Sequence, residues 1–127
     1  PEKIADDRLA QAAAEFVPRI HRYPHMMRET GYLCSRINED ANLIGKGGAN
    51  AVYGLGLKKE GIGISVKLAD GCEDVWPFVL AAVLRGLGYD NEDTLAMLGE
   101  LHGSRIYNDN DLCVGHWEMA QPVGRIG

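Results

Sequence analysis

The stretch Leu43 to Leu68, LIGKGGANAVYGLGLKKEGIGISVKL, constrains the fold more than any other part of this chain. Two apolar runs, Ala51 to Leu57 and Ile62 to Leu68, read as strands, with Lys58-Lys59-Glu60-Gly61 as the turn between them. Gly61 can take the left-handed conformation that closes a hairpin loop with a bulge. Side chains alternate across a strand, so Gly54 and Gly56 share one face, and Gly61 and Gly63 share the parity of the partner strand's near end. Each glycine in a strand gives up side-chain packing and adds chain entropy that folding must overcome. The spacing therefore predicts a bare strip against which something presses closely, most simply a helix or another backbone. Ahead of the hairpin, Gly45-Lys46-Gly47-Gly48 reads as a loop feeding a strand. Its glycines clear space for Lys46 to face something small.

The flanking segments supply helices. Ile4, Leu9, Ala13, Phe16, Val17 and Ile20 recur at helical spacing over about Ile4 to Tyr23. Asp6 and Asp7 near its start and Arg19, His21 and Arg22 near its end suit the helix dipole. Pro18 is expected to kink or end this helix early, and Pro24 closes the segment. Residues His25 to Asn42 read as irregular or short-helical. Asp74 can cap a helix from Val75 to about Gly86, with Pro77 tolerated in its first turn and Gly86 and Gly88 as its stop. Asn91 opens a further helix carrying Leu95, Leu98 and Leu101, which Gly103 ends. Arg105 to Tyr107 reads as a short strand, Asn108 to Asp111 as a turn, and Leu112 to Met119 as a final strand. The order predicts one α+β domain over residues 1–127. Its antiparallel sheet combines the glycine-rich hairpin with the C-terminal strand, and helices cover it.

Composition narrows the function classes. A chain of 127 residues is long enough for one domain. A net charge of −5 disfavours a nucleic-acid partner, which calls for a basic stripe. It also disfavours anionic lipid, and no apolar run reaches the ~18 residues of a membrane span. Cys34, Cys72 and Cys113 are too few and odd in number for a disulfide framework. Reduced thiols in a cytoplasmic protein are the expectation.

Few residues carry recognisable chemistry. Gly45 to Gly48 is not a phosphate-binding loop, because the glycine spacing differs and no Ser or Thr follows Lys46. A lysine followed by glycine at the head of an edge strand also occurs in the serine β-lactamase type of site, where the lysine supplies charge and the glycine lets substrate lie along the strand. Cys34 has no second Cys or His at ligand spacing, whereas zinc takes three or four protein ligands. A catalytic Cys34 would need a base, and His25 is the nearest in sequence. Pro24 breaks the helical geometry that would align His21 with His25. Asn108 to Asp111 lacks the spacing and distal Glu of a calcium loop.

Taken in order, Tyr23-Pro24-His25, Gly31 to Cys34, Lys46-Gly47-Gly48-Ala49-Asn50-Ala51-Val52-Tyr53, Gly61 to Gly71 and Ile106 to Gly115 resemble the C-terminal half of the Rhizobium-type L-asparaginase II family. That family reads Lys-x-Gly-Ala-Glu-Gly-Val-Tyr and Gly-Ile-Ala-x-Lys-Ile-x-Asp-Gly at the two central segments. The resemblance implies an amidohydrolase that releases ammonia from asparagine, on a fold related to serine β-lactamases and glutaminases. It implies catalytic roles for Lys46 and Gly47, substrate contacts from Gly48 and Ser35, and Cys34 as one ligand of a zinc. The departures are specific. No Ser-x-x-Lys pair is present, nor the upstream Asp-Gly-Cys-x-x-Pro segment; Asp70 to Pro77 echoes that string in another place. Asn50 stands where the family has Glu, and Ser35 where it has Thr. Together with a start at Pro1, this leads to the expectation of a C-terminal portion of a longer enzyme. Its missing N-terminal half would be the partner that brings the nucleophile and further zinc ligands. The isolated chain is then expected to be inactive, and a homo-oligomer is left open. The alternative is a non-catalytic α+β module that binds a partner chain through its glycine-rich sheet, with a small enzyme built on Cys34 as a third option.

Overall fold

The computed structural model describes residues 6–123. The chain divides into two compact units, Pro1–Gly71 and Cys72–Gly127. The elements are those of an α+β protein. None of the described helices is long and apolar enough to cross a membrane.

The first unit opens on α1, Asp7–Arg22; the predicted start at Ile4 lies outside the described residues. Asp6 caps it, its carboxylate accepting the N–H groups of Arg8 and Leu9 at 2.9 and 3.1 Å. Such a cap contributes about 1 kcal/mol by serving donors that have no partner within the helix. The helix does not end at Pro18 but continues to Arg22. Pro18 and Ala14, whose carbonyl loses its helical partner, both lie exposed, so solvent can serve that carbonyl. The segment after α1 is short-helical, as predicted. A turn of 3-10 helix at Pro24–Met26 leads to α2, Leu33–Arg36, and then to a second 3-10 turn, Ile37–Glu39.

Three antiparallel strands follow: β1, Leu43–Gly48; β2, Val52–Leu57; and β3, Ile62–Lys67, in the order β1-β2-β3. The reading of Gly45 to Gly48 as a loop is thus corrected, since these residues form most of an edge strand. Glycine is a poor strand former, but the backbone here is held from both sides. β2 pairs along one edge, with Lys46 opposite Gly54. Asn38 and Cys34 reach the other edge from the helical segment. The β2–β3 turn places Gly61 at φ 65°, as the hairpin pattern required. The β1–β2 turn is less expected. Asn50 and Ala51 both sit at positive φ, 60° and 53°, and Ala51 is fully buried. His21 joins α1 to this assembly. Its Nε2 accepts from the Lys58 ammonium at 2.8 Å, so Nδ1 carries the proton and donates to the Asn38 carbonyl at 3.0 Å.

Pleating gives the sheet two unlike faces. Leu43, Gly45 and Gly47 share one face with Tyr53, Leu55 and Leu57, and all six are buried. Ile44, Lys46, Gly48, Val52, Gly54, Gly56, Gly63, Ser65 and Lys67 share the other, and most are exposed. Both α2 and the following 3-10 turn pack beside β1; an added Cβ on Gly54 would meet Lys46 O at 4.0 Å, and one on Gly63 would meet nothing within 4 Å among the described residues.

In the second unit, α3 spans Trp76–Gly86 and α4 spans Glu92–Leu101. They pack on each other through apolar side chains that include Leu80, Leu84, Leu95 and Leu98, all buried. A 3-10 turn over Glu73–Val75 precedes α3, and no side chain caps it, so Asp74 lies inside that turn instead of capping. Gly88 at φ 76° reverses the chain, with Tyr89 N–H donating to Leu84 O at 2.9 Å and Gly88 N–H to Arg85 O at 3.0 Å. That is the left-handed helix stop the glycines predicted. Asn91 caps α4 through Thr94 N–H at 3.3 Å. The C-terminal strand does not extend the central sheet, which corrects that expectation. β4, Arg105–Tyr107, and β5, Cys113–His116, form a separate two-stranded sheet. Asn108 accounts for this: its side chain accepts from Asn110 and Leu112 N–H, folding the intervening turn tightly enough to bring β5 back onto β4.

Candidate active site

Four of the five residues singled out from the sequence lie at or beside β1, and the sheet divides them. Lys46 stands on the exposed face, where its ammonium donates to the neighbouring Gly47 carbonyl. Gly48 is exposed on the same face at the end of the strand. Gly47 belongs to the buried face, and its N–H donates to the Cys34 thiol at 3.2 Å. Cys34 is only 1% exposed. Ser35, adjoining it in α2, is buried, and its hydroxyl is directed at the Arg28 carbonyl and, at 2.8 Å, the Glu29 carbonyl. Ser35 thus ties the 28–35 loop together. His25, the base considered for Cys34, is exposed.

The buried side is held by a residue that sequence reading passed over. The Asn38 side chain donates to Cys34 O at 2.6 Å and Gly45 O at 2.7 Å, and it accepts from Gly45 N–H at 3.0 Å. One amide thereby pairs both backbone groups of an edge-strand residue, as a fourth strand would. Nothing in the sequence around Asn38 announces this, because the pairing depends on where β1 returns. Tyr53 lies over the same spot. An added Cβ on Gly45 would stand 3.0 Å from its hydroxyl. Burial, and then the nearby Cys34 thiol, push the Tyr53 phenol far above its usual range. The phenol therefore stays protonated at any ordinary pH and acts as a donor, not a base.

The exposed side has a different make-up. Register puts Lys46, Gly54 and Ser65 in one row across the three strands. Lys67 stands one row further along, its ammonium donating to Asn50 O and, at 2.7 Å, to Leu68 O. The alternation that aligned the glycines could have revealed Ser65, since it shares parity with Gly63 and Lys67.

The family model for L-asparaginase II matches residues 2–119. The chain belongs to the L-asparaginase II family. No curated protein matches it.

Membership makes the function asparaginase-like in general terms, and it bears on two local features. The L-asparaginase II motif quoted above has glycine where this chain has Ala51, and Ala51 is the residue found at φ 53°. The family pattern is thus what the backbone geometry asks for, and this chain departs from it. The zinc that the resemblance implies, with Cys34 as one ligand, has no full ligand set among the described residues. No group of three or more His, Cys, Asp or Glu side chains comes together among the described residues. Cys34 is sealed in the interior with its sulfur accepting a backbone N–H. A metal on Cys34 would need its remaining ligands from outside the described residues.

Proposed function

We propose that this chain supplies the lysine-bearing floor of an L-asparagine amidohydrolase site, and that the nucleophile comes from residues outside it. The observation that carries this reading is the exposure of Lys46 on the open face beside side-chain-free Gly54, in a sequence with no Ser-x-x-Lys pair. Amide hydrolysis passes through an intermediate whose carbonyl oxygen is negative. A fixed positive group aimed at that oxygen lowers the barrier more than it stabilises the neutral amide. We assign that task to Lys46, which is exposed on this face. The glycines beside it let a substrate backbone approach the strand. The buried cluster of Cys34, Asn38 and Tyr53 has a positioning role: it fixes β1, and so the root of Lys46, without touching substrate.

Ammonia release from L-asparagine tests the division of labour. The chain alone is expected to release none at an enzyme-like rate. Joined with the missing N-terminal half, read from the upstream coding sequence, it is expected to turn over, and Lys46→Ala should abolish that activity. Enzyme-like turnover by the chain alone would overturn the proposal. A stable complex that releases no ammonia would instead favour a non-catalytic interaction module.

A further inference from the structure

We infer that the outer edge of α1 is a self-association surface, on which a second copy of this chain lays its own α1 in the antiparallel sense. α1 is anchored to its own unit at its C-terminal end, where Ile20 is its buried residue and His21 bonds to Asn38 O and the Lys58 ammonium. Nearer its start the helix turns large apolar side chains to water: Leu9 is 62% exposed and Phe16 58%. Single exposed apolar residues are ordinary on a surface. These two are seven residues apart, so they stand two turns apart on one helical stripe, with Ala12 and Ala13 between them. The alanines leave a shallow between the two large side chains, into which the same pair of a second helix can seat. Phe16 then packs beside the partner's Leu9, and Leu9 beside the partner's Phe16. Charge decides the occupant and its direction. Arg8 and Glu15 are also seven residues apart, and both are exposed along one flank of that stripe. With the helices antiparallel and crossing at the alanines, Arg8 comes within ~3 Å, measured along the axis, of the partner's Glu15. Two-fold symmetry makes that contact twice. Asp7 in the acidic first turn comes level with the partner's Arg19 in the basic last turn, and the two helix dipoles oppose each other. Parallel helices would instead set arginine against arginine and glutamate against glutamate. Arg19 of the same helix approaches Glu15 only to 3.8 Å, which leaves that carboxylate able to take a second cation. α1 carries three arginines against two carboxylates, so this edge is spared the repulsion that a net charge of −5 sets up between copies.

The experiment is sedimentation velocity of the full chain over a concentration series, with circular dichroism as a check that each variant keeps the parent's fold. A few helical turns a side fall short of the roughly 1,200 Å² at which stable interfaces begin, so a weak dimer is expected, with Kd on the order of tens of micromolar. Phe16→Glu should weaken it more than about tenfold by putting a charge where an aromatic ring is buried. Leu9→Glu should do the same, and both replace exposed side chains that the fold does not use. Arg8→Glu sets like charges against each other at both symmetric contacts and should weaken the dimer about fivefold. Adding Glu15→Arg to Arg8→Glu exchanges the two signs and should restore the parent's Kd. A chain that stays monomeric at every concentration would overturn the inference, as would a dimer that survives both Phe16→Glu and Leu9→Glu. A dimer that the apolar variants weaken but Arg8→Glu does not, or that the paired exchange fails to restore, would overturn the antiparallel arrangement and with it the choice of occupant. So would a monomer that binds the N-terminal half of the enzyme and releases it on Phe16→Glu, because that half would then be what covers the edge. None of these outcomes bears on Lys46, whose role is decided by ammonia release.

Discussion

Gly45 and Gly54, on opposite faces of the central sheet, are glycine for opposite reasons. On the buried face, an added Cβ at Gly45 would stand 2.9 Å from Ile37 Cγ2 and 3.0 Å from Tyr53 Oη, closer than packed atoms allow. Glycine there lets Ile37 and Tyr53 close over the strand. On the open face, Gly54 has a nearest neighbour at 4.0 Å. No described residue stands close enough to forbid a side chain at that place, and its backbone does not adopt a positive φ. The same residue type is required by packing on one side and unexplained by packing on the other. The second case is the one that points outward, to a ligand or a partner.

The sharpest way to break this contrast is to disturb what holds the buried side. Asn38→Ala would leave Gly45 N–H, Gly45 O and Cys34 O without the partner that now serves them in the interior. The expected loss is about 3 kcal/mol, since each orphaned buried group costs on the order of 1 kcal/mol or more. Urea unfolding checks it, and a loss under about 1 kcal/mol would mean that the edge of β1 does not depend on this amide. Next in size is Gly45→Ala, with an expected loss of about 2 kcal/mol from overpacking against Ile37 and Tyr53.

Periodicity and turn chemistry made much of the fold legible. The α1, α3 and α4 helices, both hairpin strands and the Gly61 and Gly88 turns could be read because their signals are local. β1 could not, because glycine-rich strands carry no propensity signal and this one exists through partners far from it in sequence. The separate pairing of β4 with β5 was hidden for a related reason, as a final strand does not announce which sheet it joins. The exposure of Lys46 was legible from its glycine neighbours. The inward burial of Ser35 was not, because a four-residue helix gives no amphipathic pattern from which to tell its faces.

A smaller effect tests the turn that joins the two faces. Ala51 is buried with φ 53°, a conformation that costs a residue with a Cβ roughly 1 kcal/mol or more relative to glycine. Ala51→Gly should therefore stabilise the chain, by about 1 kcal/mol after allowing for the greater freedom of glycine in the unfolded state. A rise in the urea midpoint at constant slope is the expected result. A fall would mean that the methyl group packs usefully enough to outweigh its strain.

The smallest stability change is expected where the functional one is large. Gly54→Ala adds a methyl group in open space on a strand, so folding should be unaffected or gain up to about 1 kcal/mol. That methyl would nevertheless stand beside Lys46 on the open face. Ammonia release once the nucleophile is supplied should fall well below that of the parent. The pairing of results is what matters here, because a variant that folds as well as its parent yet no longer turns over cannot be excused as misfolded. If Gly54→Ala instead destabilises the chain as much as Gly45→Ala does, the open face is a packing surface like the other. Its glycines would then carry no information about substrate.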